Sequence, residues 1–187
     1  MRYVFLIWIS LIFSTAYCSD CNENKTISSE IRNYLTTIDS SKNIKLYQVD
    51  KLVELFQLNE KQDFSNEDFP EVEGDSRLFY SFIDKIFMLA LKDGDFILPI
   101  FKLNFIVKRN VEWAEYLSEL PHKIAVENTY NFLVQYKKLD KDQKETILSD
   151  LFWLREYDLI SLFLMKLDKI DDKSLIAEIN EIKNRLK

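Results

Sequence analysis

The chain has 187 residues, 47% of them hydrophobic and 14% aromatic, enough to build one globular core. With only 2 Gly and 3 Pro, it lacks the turn residues that an all-β fold or a Gly-rich phosphate loop consumes. The formal charge of −6 at pH 7 and the absence of a basic patch argue against nucleic acid as the partner; an acidic surface favours solubility and leaves a basic protein partner open.

Residues 1–18 read as a secretory signal peptide. Arg2 supplies the positive start, Tyr3 to Phe13 the apolar core, and Ser14, Thr15 and Ala16 the small-residue end. The apolar run is about half of the ~20 residues that a bilayer requires, so no permanent membrane span is expected. Cleavage after Ala16 leaves Cys18 and Cys21 as a C-x-x-C pair that can form a small disulfide. Cleavage after Cys18 leaves Cys21 alone. Neither a βαβ context nor a following His accompanies the pair, so redox and haem chemistry are not expected. Lipidation of Cys18 fits poorly, because Thr15 and Tyr17 stand where an aliphatic and a small residue belong. Residues 19–27 continue as a flexible leader. It contains the sequon Asn24-Lys25-Thr26, meaningful only in a eukaryote, whereas the Lys-, Asn- and Ile-rich composition points to an AT-rich, bacterial source.

From residue 28 the chain reads as one all-α domain of about seven or eight helices. Ser28 to Ile38 carries Ile31, Tyr34, Leu35 and Ile38 on one face. Asn43 to Leu58 suits a helix, although its opening IKLYQV fits an extended segment as well. Residues 60–75 form the one long irregular stretch. Six carboxylates and no Lys or Arg fall between Asp63 and Asp75. An acidic docking loop through Asp63, Glu67, Asp68, Glu71 and Glu73 is the functional reading, and a solvated linker the bland one. The positions do not match a calcium loop.

Ser76 to Leu91 is predicted as the central helix, with Asp75 as its N-cap and Gly94 at its C′ position. Phe96 to Val107 is a second, nearly all-apolar helix that admits Pro99 in its first turn. Asn110 is expected to cap Val111 to Leu120, and Pro121 to start a helix whose apolar pattern runs on to Leu139. Asp140 to Gln143 reads as a capping box, and Asp158 as the opening of Leu159 to Leu167. Ser174 to Arg185 is the last helix, apolar along one narrow stripe.

The stretch from Leu78 to Leu154 resembles exported bacterial helical proteins of HEAT-like type; residues 115–148 carry the likeness, through an Asn-or-His-x-x-x-Phe-Leu phrase that recurs in those proteins. Here it is Asn128, Phe132 and Leu133, with Glu127, Tyr130 and Asn131 around it. The resemblance implies helix pairs and brings no catalytic residues. An echo between Ile86-Phe87 before Asp95-Phe96-Ile97 and Leu151-Phe152 before Asp158-Leu159-Ile160 fits a helix-pair repeat, and equally two ordinary apolar helices.

No catalytic set emerges from the sequence. His122 is the one histidine, expected at the surface, and no nucleophile motif accompanies it. No cofactor or metal site is expected. Of the aromatics Trp113, Tyr116, Tyr130, Tyr136, Phe152, Trp153 and Tyr157, most belong to a core; Trp153 and Tyr157, at a helix end, are the candidates for an exposed binding pair. The expected function is that of an exported, non-catalytic protein-binding domain of the immunity or inhibitor kind in the bacterial envelope. The rivals are an envelope hydrolase working through a carboxylate pair and a scaffold solenoid.

Overall fold

A computed structural model describes residues 29–41, 43–61, 73–107, 111–156 and 158–186. Among them every regular element is helical. The helices are α1 (29–39), α2 (Leu46–Lys61), α3 (Glu73–Ala90), α4 (Ile97–Ile106), α5 (Val111–Ser118), α6 (Leu120–Glu127), α7 (Thr129–Tyr136), α8 (Lys141–Asp150), α9 (Trp153–Glu156), α10 (Ile160–Asp168) and α11 (Ile176–Leu186). Short 3-10 turns, Gly94–Phe96 and Lys173–Leu175, lead into α4 and α11.

The ambiguous start of α2 resolves as helix. The Gln48 side chain accepts from the Lys45 backbone N–H at 2.8 Å, and Val49, Leu52, Val53, Leu55 and Phe56 are buried along one side. The stretch 60–75 is helical at both of its ends. Glu60 and Lys61 belong to α2, and α3 starts at Glu73, so Asp75 lies inside the helix and is not its N-cap.

The hub of the fold is α4, not α3. Among the described residues α4 packs against α2, α3, α5, α6, α7 and α8. The reason lies in its composition. The sequence ILPIFKLNFI has no polar face, and Ile97, Pro99, Ile100, Phe101, Leu103 and even Asn104 are buried. Helix α3 keeps one wet side: Phe79, Phe82, Ile83, Ile86 and Ala90 are buried while Asp84 and Met88 are exposed. The core runs unbroken from Ile31 to Leu186. Around α4 it includes Phe101, Phe132 and Phe163, whose rings meet edge to face at 5.6 and 6.1 Å.

Three local expectations are corrected. Gly94 has no positive φ and is not a helix C′ residue. It is small because Asn131 sits on it: a Cβ there would come within 2.5 Å of the Asn131 Cγ. The pattern expected to run unbroken from Pro121 towards Leu139 divides at Asn128 into α6 and α7. Asn128 Nδ2 donates to the Ala90 carbonyl at 2.9 Å, and its Oδ1 accepts from Asn131 at 3.1 Å. Its side chain therefore satisfies the open end of α3, and the backbone bends to let it. Asp158 does not open α10. It adopts φ 54, the Leu159 N–H reaches back to the Leu154 carbonyl at 2.8 Å, and the Asp158 N–H to Arg155 at 3.2 Å. That is a Schellman ending of the preceding helix, with an aspartate where glycine usually stands. The capping box at Asp140 and Gln143 is formed as the sequence predicts.

Candidate functional site

Of the expected partner-binding residues, Asp63, Glu67, Asp68, Glu71 and Tyr157 lie outside the described residues, as do Cys18 and Cys21. Glu73 is the first residue of α3 and Trp153 the first of α9, so these two stand on different elements. Trp153 is 36% exposed and its neighbour Phe152 39%. The Arg155 guanidinium lies over the Phe152 ring, 5.2 Å from its centre. The sequence draws attention to Trp153 but not to Phe152. The turn at 151–152 takes Phe152 out of the regular pattern of α8 and leaves it at the surface.

His122 is a correction. The first turn of α6 points inward, burying Leu120, Pro121 and His122 together. Burial pushes the imidazole pKa down to about 4, Lys123 pushes the same way and Glu119 opposes it. At neutral pH the ring is uncharged and only 1% exposed. A general base needs access to substrate, which this position does not give.

A polar pair that the sequence reading missed sits between α4 and α8. Asn104 Nδ2 donates to Asp150 Oδ2 at 2.6 Å. Burial raises the Asp150 pKa to about 7 against the opposing pull of the Asn104 hydrogen bond, and among the described residues no second carboxylate adds to the shift. A carboxyl that holds its proton near neutrality is the raw material of acid–base chemistry. The available signal was Asn104 itself, an amide isolated in an otherwise greasy helix.

A second polar group joins α7, α8 and α11. The Lys144 ammonium lies 5.0 Å from the centre of the Tyr136 ring, 3.4 Å from Glu178 and 3.6 Å from Glu181. Glu178 is buried, and its Oε2 has no hydrogen-bond partner among the described residues. Burial raises the Tyr136 pKa, and the neighbouring Glu181 carboxylate raises it further. Lys144 supplies the positive charge that lets Glu178 remain inside. Among the described residues, no group of His, Cys, Asp and Glu is arranged to hold a metal ion. No described helix is long and apolar enough to cross a membrane.

Comparison with protein-family models, curated proteins and solved structures returns no match.

Proposed function

We propose that this chain is an exported, non-catalytic helical domain that binds another protein, and that it acts in the bacterial envelope as an immunity or inhibitor protein against a secreted toxin. The observation that carries the reading is the turn Phe152 to Arg155. Two aromatic rings and a guanidinium stand at the surface within four residues of chain. Trp and Arg are among the side chains that most often dominate binding energy at protein interfaces, and aromatic residues as a class are enriched there. The arrangement is also rigid: Leu154 between them is fully buried, and the Leu159-to-Leu154 hydrogen bond closes the turn. Export rests on the sequence of residues 1–18.

Replacing Trp153 with a photo-crosslinking benzoylphenylalanine in the native host tests the docking face directly. The expected result is one dominant cross-linked protein, absent when the crosslinker is placed at exposed Glu145 on α8 instead. Equal, scattered labelling from both positions would contradict it.

The hydrolase reading is kept alive by one observation, the near-neutral Asp150. It requires a second carboxylate across a bound substrate. If the chain hydrolyses an envelope polymer and Asp150→Asn abolishes this without loss of fold, that reading replaces the first.

A further inference from the structure

One polar side-chain contact ties the end of α8 to the centre of the molecule. Asp150 is the last residue of α8, half-buried against α4, and its Oδ2 accepts from Asn104 Nδ2 at 2.6 Å. Directly beyond it the chain leaves the regular helix. The Phe152 N–H reaches the Ser149 carbonyl and the Leu154 N–H the Leu151 carbonyl, each at 3.0 Å. These tighter bonds turn Phe152, Trp153 and Arg155 to the surface while Leu151 and Leu154 stay buried. The docking turn therefore begins at a hinge that two leucines and the Asn104–Asp150 bond hold down.

Asp150 is poorly placed to carry a charge. It stands at the C-terminal end of α8, where the helix dipole is negative, and its hydrogen-bond donor is a neutral amide. Helices α4 and α6 pack most closely on α8, and they bring Lys102 from the first and His122, Lys123 and Glu127 from the second. Helices α7 and α11 meet α8 at Lys144 and Glu145, nearer its start, and Arg155 follows the turn. Among the described residues none of these charges bears on Asp150: burial raises its pKa to about 7, against the Asn104 hydrogen bond alone. An Asp150 turned out into water would titrate in the ordinary carboxylate range. The proton is thus held more tightly when the end of α8 is seated than when it is open, and opening gains as pH rises through about 7.

We infer that the Asn104–Asp150 hydrogen bond is a proton-dependent latch on the docking turn: with Asp150 neutral the end of α8 is seated on α4 and presents Phe152 to Arg155, and with Asp150 ionised the carboxylate moves towards water and the turn loosens. A partner that requires the seated turn binds the protonated form, and by linkage its binding takes up a proton near neutral pH. The inference rests on the protein-binding reading and gives that same site a regulation. The latch itself can be measured without any partner, so the two can fail separately.

The test is native-state hydrogen exchange on the full chain at pH 6 and 8, read at the amides of Leu151, Phe152 and Leu154 and corrected for the intrinsic rate. Protection is expected to fall about tenfold over that range, and to do so equally in dilute urea, the mark of an opening smaller than global unfolding. Asp150→Asn keeps an acceptor for Asn104 without a charge, and its protection is expected to change less than about twofold. Asn104→Leu removes the donor and should deepen the fall at pH 8. The same pH dependence in wild type and Asp150→Asn overturns the latch, as does exchange of these amides only through global unfolding. If the latch opens as described while the crosslinker at position 153 captures nothing, the latch stands and the docking role of Phe152 to Arg155 falls. If the crosslinker captures one partner and the exchange is indifferent to pH, the docking role stands and the latch falls.

Discussion

Helices α4 and α11 have nearly the same length, 10 and 11 residues, and are held in opposite ways. Helix α4 is enclosed by apolar neighbours, with a single amide, Asn104, as its buried polar contact. Helix α11 packs on α7 and α10 along one stripe, Ile179, Ile182 and Leu186. Around that stripe runs a ring of charge: Lys144 with Glu178 and Glu181, Arg185 with Glu145 at 3.2 Å, and Lys183 with Asp168. Burial of apolar surface is not screened by salt, whereas exposed ion pairs are, and each contributes under about 1 kcal/mol. The centre of the molecule is therefore held by packing. Its C-terminal edge depends on one enclosed charge, Lys144, that cannot be removed alone.

The largest expected effect comes from breaking the centre. Phe101→Ala empties a fully buried site against Phe132 and should cost about 3–5 kcal/mol. Urea unfolding should give the same loss at low and high salt. Lys144→Ala strikes the edge. It leaves Glu178 buried without its cation and should cost about 2–4 kcal/mol, whereas Lys144→Met with Glu178→Leu should recover most of that loss. If the double variant is as unstable as the single, the charge is not what the edge depends on.

Asp150→Asn sharpens the comparison, because it titrates the one polar pair at the centre. The folded pKa of about 7 lies above the ordinary carboxylate value, so the folded state binds the extra proton. That contribution is fully present below about pH 4 and is lost as pH rises through about 7. Relative to Asp150→Asn, the wild type should lose on the order of 2 kcal/mol between pH 4 and 8, with Asp150→Asn the more stable at pH 8; buried His122, whose lowered pKa acts in the opposite direction, contributes equally to both proteins and cancels in the difference. Denaturant midpoints measured across that range check both statements. The smallest effect is a gain. Asp158→Gly relieves an aspartate at φ 54 and should add about 0.5–1 kcal/mol, read as a rise in melting temperature.

What could be read in the sequence was what short stretches decide by themselves. The Asp140–Gln143 box formed because both partners are three residues apart. The all-α class followed from helical periodicity and the scarcity of turn residues. The failures share a cause, a partner distant in the chain. Asn128 breaks an apolar pattern that looks continuous because Ala90, 38 residues away, takes its amide. Gly94 resembled a helix cap, yet its size is dictated by Asn131. Asp158 looked like the N-cap of the helix after it, and only the hydrogen bonds to Leu154 and Arg155 reveal it as the end of the one before. His122 follows a proline at a helix start, a surface pattern, but tertiary packing turns that first turn inward. In the candidate site, residue type singled out Trp153, while the exposure of Phe152 depends on how the turn after α8 is packed.

The central claim is that the chain works by holding another protein. Its most direct test is co-purification of the tagged full chain from an envelope extract of its native host, with mass spectrometry of what remains bound. The account predicts one stoichiometric secreted protein, basic in character and released as salt is raised. Purification free of any stoichiometric partner across growth conditions would contradict it.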